Sequence, residues 1–167
     1  MIEVLTAISI IAMLLAMFFP ALQAAREAGR QTVCRNNLRQ VAMAALSYES
    51  LTGELPSNGW GFRWIGDPDR GNGPKQPGGW IYQITPHLER ADVAELWRGS
   101  DPAQKRALLG RLTQSAMAIH TCPSRSPWDG PPQNPLWAPF NAEIFPAVGR
   151  CDYAINEGDT FVGGNEG

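Results

Sequence analysis

The chain has 167 residues, of which 14 are Lys or Arg and 16 are Asp or Glu, so its formal net charge is -2. This length suits one domain with an appendage, and a charge balance so close to neutral lacks the concentrated basic surface of a nucleic-acid-binding protein. The 17 glycines and 14 prolines predict long loops, and 3 cysteines are too few for a disulfide-dense small scaffold.

The first predicted element is a membrane-spanning helix. Residues 4–19 contain no charged side chain, and Thr6 and Ser9 are their only polar ones. Extended to residue 22, this segment would form about 28 Å of helix, enough to cross the hydrocarbon core of a bilayer. A secretory signal peptide would have a basic start, a shorter apolar core and a small-residue cleavage site, and this segment shows none of these features. We therefore expect a single transmembrane span at residues 4–22, with the lipid bilayer as a partner.

The helix is predicted to continue beyond the membrane to about residue 52. Residues 21–50 are rich in Ala, Arg, Gln and Leu, which favour helix. Pro20 is expected to kink or locally melt the helix, and Gly53 is expected to end it. One apolar stripe, spaced by four, three, four and three residues, should face the rest of the protein. Its members are Cys34, Leu38, Val41, Ala45 and Tyr48.

Residues 53–167 are predicted to form a loop-rich α+β head, packed on the C-terminal half of the helix. Residues 80–88 are apolar enough for a short helix or strand, and residues 118–122 and 151–155 are expected to be strands. Asp101, Pro102 and Gln104 have the pattern of a helix start. We expect that helix to run to about residue 118 and to bury three leucines, Leu108, Leu109 and Leu112.

The loop at residues 53–80 is rich in glycine, proline and aromatic residues. Its aromatic side chains are Trp60, Phe62, Trp64 and Trp80. Such rings usually anchor a loop to a core, but exposed rings could instead stack on sugars or other flat apolar faces. The DPDRG sequence at 67–71 resembles the opening of a calcium loop but lacks the later bidentate glutamate, so a turn is the preferred interpretation.

No motif in the chain indicates catalysis. His120 and Cys122 are two residues apart and His87 is distant, which is not the spacing of a zinc site. A nucleophilic Cys–His pair would need a third group that the sequence does not identify. The nucleophile-elbow, Walker A and dinucleotide-binding motifs do not occur. We therefore expect no enzyme activity, metal or cofactor.

The N-terminal segment resembles the mature N-terminus of type IV pilins and type II secretion pseudopilins. Its sequence, MIEVLTAISIIAMLLAMFFPALQAAREA, has Glu3 at the head of an otherwise apolar helix, as in that class. The rest resembles a bacterial subgroup of pilin-like proteins that carry a solute-binding-protein-like domain of unknown function. The similar segments are PALQAAREA (20–28), CRNNLRQVAMA (34–44), WGFRWIGDPDRG (60–71), QPGGWIY (76–82), TPHLE (85–89), CPSR (122–125) and DYAINEGD (152–159).

This resemblance implies a structural subunit of a type II secretion or type IV pilus-like assembly. It implies that Glu3 attracts the free amino terminus of a neighbouring subunit, because opposite charges in a low-dielectric setting attract strongly. The implied partners are other pilin-like subunits, bound through the N-terminal helix, and a prepilin peptidase. The alternative function is a membrane-tethered extracytoplasmic binding module that uses the pilin-type segment only as an anchor.

Charge pattern and resemblance disagree on the orientation in the membrane. Four arginines follow the span and only Glu3 precedes it, so the positive-inside rule favours a cytoplasmic head. The resemblance implies a single pass through the inner membrane with the head in the periplasm or outside the cell, in some cases within a filament. It also implies a basic leader before Met1 and a head that continues past residue 167. The four arginines are Arg26, Arg30, Arg35 and Arg39.

The three cysteines allow three pairings, each of which leaves one thiol over. Cys34 and Cys122 both lie in segments shared with the pilin-like subgroup, whereas Cys151 stands where that subgroup more often has a small polar residue. The resemblance therefore favours a disulfide between Cys34 and Cys122, which would join the helix to the head. A bond between Cys122 and Cys151, or three reduced thiols, remain open alternatives.

Overall fold

A computed structural model of the chain describes residues 2–95, 98–114, 117–125, 138–144, 149 and 151–155. Four α-helices lie within these residues: α1 (Ile2–Thr52), α2 (Trp80–Ile84), α3 (Ala91–Ala94) and α4 (Pro102–Gln114). Short 3₁₀ turns occupy Pro68–Arg70, Gly73–Lys75, Thr85–Leu88 and Ala118–His120. The part of the head that the structure describes is helical and contains no strand, so the expected α+β class is not confirmed.

The long N-terminal helix is present as predicted. α1 has 51 residues, which corresponds to about 77 Å of helix. It is continuous through Pro20, so the expected local melting does not occur. The helix ends before Gly53, whose φ of 80° is a left-handed conformation that glycine adopts without strain. The Gly53 N–H donates to the Glu49 carbonyl at 2.7 Å and satisfies one of the last carbonyls of the helix.

The face of α1 that contacts the head differs by a small rotation from the predicted stripe. Leu38 is 48% exposed and Ala45 is only half-buried, so the placement of Leu38 on this face was wrong. Asn37 contacts the head in this turn of the helix instead, because its side-chain Nδ2 donates to the Thr121 carbonyl at 3.0 Å. Ala44 is 2% exposed, and its small side chain lets the head approach closely. The buried residues of α1 are Cys34, Val41, Ala44 and Tyr48.

The hydrophobic core lies between α1 and α2. Val41 and Ala44 from α1 form one buried cluster with Trp80 and Ile84 from α2. Ile84 has no exposed surface at all. Residues 80–88, predicted as helix or strand, are therefore helical throughout, as α2 and the 3₁₀ turn that follows it.

The two predicted strands of the head were wrong. Residues 118–120 form a 3₁₀ turn, and residues 151–155 are irregular, although the two segments lie side by side. Asp152 N–H donates to the His120 carbonyl at 2.8 Å, and the Asp152 carboxylate accepts from the Cys122 N–H at 2.8 Å. The aspartate side chain thus takes a bond that a strand partner's carbonyl would otherwise accept, and no ladder forms.

The second long helix begins as predicted but ends earlier. α4 starts at Pro102, and the Asp101 carbonyl accepts from the N–H groups of Gln104 and Lys105. It ends at Gln114, four residues before the predicted end. Leu109 is buried and Leu108 is half-buried, while the side chain of Leu112 lies outside the described part of the structure.

Two glycine substitutions should have opposite effects on stability. A Cβ on Gly66 would overlap the ring of Tyr82, which is held by a 2.7 Å hydrogen bond from its hydroxyl to the Ala94 carbonyl. Gly66→Ala should therefore lower the free energy of unfolding by about 1–3 kcal/mol. Gly29 lies on α1 with open space around it, so Gly29→Ala should raise helix stability by up to about 1 kcal/mol. Denaturant unfolding in detergent, followed by tryptophan fluorescence, would compare them; equal stability of the two variants would contradict the packing described.

Candidate functional site

The N-terminal half of α1 is a surface that needs an apolar environment. Residues 2–26 are exposed along their whole length. Within the described residues, α1 is the one helix long and apolar enough to cross a membrane, and none of its most apolar stretch is buried in the protein. A helix that is apolar on every face and unburied fits single-pass membrane anchoring.

Glu3 lies in the first turn of α1 and is exposed. No other charged residue occurs before Arg26. Glu3 is separated from Cys34 by about 46 Å of helix, so the structure does not bring the predicted assembly residue near the predicted disulfide. Any effect of the Glu3 carboxylate is therefore exerted at the N-terminal end of the membrane segment.

The structure joins Cys34 of α1 to Cys122 of the head in a disulfide, with a Cα–Cα distance of 5.0 Å and a sequence separation of 88. Tyr153 also links the head to α1 here, because its hydroxyl donates to the Cys34 carbonyl at 3.3 Å. Cys151 is the remaining thiol and is half-buried, and burial raises its pKa. The covalent bond therefore fixes the head to the helix at the end that lies nearer the membrane segment.

Two further contacts hold the head along α1. On the membrane side, a hydrogen bond from Ser124 of the head lowers the pKa of Glu27, with Arg30 contributing as well. Near the far end, Ser47 Oγ and His87 Nδ1 are 3.0 Å apart, and the His87 ring meets Tyr48 edge-on. Sequence analysis did not identify the role of His87, because its partner is 40 residues away.

Two buried glutamines organise the glycine-rich loop. The Gln76 side chain accepts from the N–H groups of Asp67 and Gly78 and donates back to the Asp67 carbonyl. The Gln83 side chain donates to the Gly78 carbonyl at 2.8 Å and accepts from the Ser57 N–H at 3.1 Å. Sequence analysis missed both residues, since a lone glutamine carries no pattern that distinguishes it from a surface residue.

The DPDRG segment is a turn, as predicted. Asp67 caps the 3₁₀ turn that follows it, because its Oδ1 accepts from the Asp69 N–H at 3.0 Å. Lys105 of α4 places its ammonium group 2.5 Å from a carboxylate oxygen of each aspartate. The hydrogen bond from Lys105 is the main reason why the pKa of Asp69 is lowered. Lys105 therefore pairs with the two carboxylates that the calcium-loop interpretation would use as ligands.

Aromatic and arginine side chains form a continuous row on the surface of the loop, which we call the aromatic row. Trp60 and Trp64 meet edge-on at 4.9 Å between ring centroids, and Trp64 lies 5.4 Å from Phe140. The Arg63 guanidinium lies 3.9 Å from the Phe140 centroid, and that of Arg70 lies 4.9 Å from the Trp60 centroid. The row consists of Arg70, Trp60, Trp64, Phe140 and Arg63.

The tryptophan-rich loop has both buried and exposed aromatic side chains. Trp80 is buried in the core and serves as an anchor. Trp60 is 41% exposed, Phe140 is 44% exposed, and Phe62, next to the row, is 75% exposed. Phe140 was missed by sequence analysis because it joins the row from a segment distant in sequence.

His120 is buried and lies two residues before Cys122, which forms the disulfide with Cys34. It is 4% exposed, and its ring meets Trp80 edge-on at 6.2 Å. Its Nε2 is buried and has no hydrogen-bond partner among the described residues. Burial disfavours the charged imidazolium and lowers the pKa of His120.

Comparison with known families identifies the head. Residues 23–162 match the family model described as "Protein of unknown function (DUF1559)". The chain belongs to the DUF1559 family. The match covers the solvent-side half of α1 and the head, and it begins directly after the predicted membrane span. No curated protein and no solved structure matches the chain.

For this DUF1559 protein, the likeness of residues 1–22 to pilins remains a prediction, because that segment precedes the matched residues. The metal-site interpretation of residues 67–71 gains no support, since the described residues contain no group of three or more potential metal ligands.

Removal of the disulfide should destabilise the head strongly. The bond closes a loop of 88 residues, so replacing Cys34 and Cys122 together by serine should lower the free energy of unfolding by about 4 kcal/mol. Cys151→Ser is the matched control and should change it by less than about 1 kcal/mol. Denaturant unfolding without reductant would measure both. Comparable losses in the two proteins would contradict the assigned pairing.

Stability should depend on pH through His120. Because the folded state lowers the pKa of His120, the unfolded chain binds the proton more readily. Stability should therefore be full above about pH 6.5 and should fall as the pH decreases from there through the lowered folded pKa, by at most about 1.4 kcal/mol per pH unit. His120→Phe should remove this part of the pH dependence and leave the acid titration of carboxylates. Identical unfolding profiles of wild type and variant between pH 5 and 7 would refute the assignment, with the interval set by the ordinary histidine pKa.

Proposed function

We propose that this DUF1559 protein is a membrane-anchored, pilin-like subunit, a structural component of a type II secretion or type IV pilus-like assembly. The observation that supports this proposal best is the exposure of the N-terminal half of α1. The head contacts α1 between Glu27 and Tyr48, and all of residues 2–26 are exposed. An apolar helix left bare in this way can pack against lipid and against the same helix of other subunits.

In the proposed assembly, Glu3 recruits the next subunit. A carboxylate at the edge of a bilayer is costly unless it is paired, and such residues are usually functional. A free amino terminus on a neighbouring helix would supply the opposite charge. A prepilin peptidase would generate that terminus, and other pilin-like subunits would be the partners.

The proposed topology is a single pass through the inner membrane with the head in the periplasm or outside the cell. The bond between Cys34 and Cys122 supports this orientation, because structural disulfides persist in oxidising compartments and are rare in the cytosol. We infer a structural role without catalysis for this subunit.

A second function is favoured by the aromatic row. A membrane-tethered binding module would use α1 only as an anchor and would present the head to a ligand. The exposure of Trp60, Phe62 and Phe140 supports it, because large aromatic side chains at the surface are typical of binding sites.

Glu3→Gln should separate the two functions. The variant keeps the size of the side chain and removes its charge, and the head lies far along the helix. Membrane levels and head structure should therefore be unchanged, whereas subunit crosslinking in membranes should fall by about tenfold if the lost ion pair contributes about 1.4 kcal/mol. Glu49→Gln, an exposed position on the same helix beyond the membrane, is the control and should crosslink like wild type.

Equal crosslinking of wild type and Glu3→Gln, with both proteins correctly inserted, would argue against the subunit role and favour the tethered module.

A further inference from the structure

We propose that the aromatic row is a binding site for an acidic polysaccharide. This inference rests on the extracytoplasmic head of the proposed function but not on assembly, since either a filament subunit or a tethered module could carry such a site.

Hydrogen bonds to the backbone hold three members of the row in place. The Trp60 indole N–H donates to the Pro74 carbonyl at 2.9 Å. Arg63 Nε donates to the Ala138 carbonyl at 2.9 Å, and the Arg63 carbonyl accepts from the Phe140 N–H at 2.9 Å. Because the rings are already ordered in the free protein, a ligand would bind with little further loss of conformational entropy.

A second pair of contacts joins the two segments that carry the row. The Asn141 side chain accepts from the Ile65 N–H at 2.9 Å and donates to the Ile65 carbonyl at 2.8 Å. Asn141 directly follows Phe140 and Ile65 directly follows Trp64, so these two hydrogen bonds hold the two segments of the row together. Several specific hydrogen bonds therefore hold the segments that carry the exposed aromatic rings. The same loop ends at Trp80, which is buried in the core.

The exposed rings favour a ligand with both apolar and hydroxylated surface. A sugar ring has a flat face of C–H groups that packs on an aromatic side chain and an edge of hydroxyls that reaches polar groups. Trp60, at 41% exposure, and Phe140, at 44%, provide two such aromatic surfaces, which Trp64 joins. A row of rings, in contrast to a closed pocket, suits a polymer of sugars.

The charge around the row favours an acidic polymer. Arg70 and Arg63 lie at its two ends, and a guanidinium can bind a carboxylate with two parallel hydrogen bonds. The neighbouring carboxylates of Asp67 and Asp69 are engaged by Lys105, and Asp67 Oδ2 also lies 3.4 Å from Arg70 Nε. A ligand carboxylate would therefore bind the two terminal NH₂ groups of the half-exposed Arg70 guanidinium. A uronate polymer carries both the sugar faces and the carboxylates that this arrangement complements.

The position of the row along α1 argues against the bilayer as its ligand, although aromatic and basic side chains also suit a membrane surface. The loop that carries the row begins at Gly53, about 46 Å of helix beyond the predicted end of the span at residue 22. The loop ends at Trp80, which packs with Val41 and Ala44, about 28 Å of helix beyond the predicted span. Both ends of the loop are therefore attached well away from the membrane segment.

The test is a binding measurement by isothermal titration calorimetry on the full chain in detergent micelles. The probes are polygalacturonate, the neutral polymer dextran, and polyglutamate, which has carboxylates without sugar rings. Polygalacturonate should bind at least about tenfold more tightly than either of the other polymers. Trp60→Ala should weaken polygalacturonate binding by about tenfold, and Arg70→Gln should reduce the preference for it over dextran.

Leu46→Ala is the control, because Leu46 is 60% exposed but lies on α1. It should bind like wild type. The thermal unfolding midpoint of each variant would verify that its fold is intact. Absent binding of polygalacturonate, equal binding of polyglutamate or dextran, or an equal loss in Leu46→Ala would each overturn the proposal. None of these outcomes depends on subunit crosslinking in membranes, so failure here is distinguishable from failure of the assembly role.

Discussion

The head depends on one face of α1, which supplies two of the four residues of its main buried cluster. Val41 and Ala44 of α1 complete a cluster with Trp80 and Ile84 that neither side could bury alone. The disulfide at Cys34 adds a covalent constraint at the membrane end of this face. The same helix is therefore the predicted anchor and a structural element of the head. A force or contact applied to the membrane segment is transmitted to the head through a continuous helix, with no flexible linker between the two.

Within the described residues, the head replaces strand pairing with side-chain hydrogen bonds. Its longest loop is too rich in glycine and proline to maintain a ladder, and Gln76 and Gln83 bond to the loop backbone from the inside. Asp152 does the same where two segments run side by side. Each such amide or carboxylate is buried only because several backbone partners compensate its desolvation. The surface of the loop is thereby free to display aromatic side chains.

Sequence periodicity predicted the parts of this fold that depend on local rules. The apolar run, the continuation of α1 to Gly53 and the start of α4 all follow from composition and capping. The choice between Leu38 and Asn37 on the contact face did not, because it is decided by a carbonyl from residue 121. The strands expected at residues 118–122 and 151–155 were also wrong, because the side chain of Asp152, distant in sequence, accepts from the Cys122 N–H. In the candidate site, Phe140 was not predictable, since only the folded chain brings it to Trp64, and the pairing of Cys34 was favoured only through a resemblance.

The orientation of the chain in the membrane is where two physical rules conflict. The arginines that follow the span favour a cytoplasmic head by the positive-inside rule. That rule is a bias over many charges, and Arg30, one of the four, is already paired with Glu27 at 2.6 Å. The disulfide is a chemical state that the reducing cytosol would not maintain. The proposed extracytoplasmic head therefore rests on the covalent bond between Cys34 and Cys122, which ties the head to the membrane end of α1, and the flanking arginines oppose it.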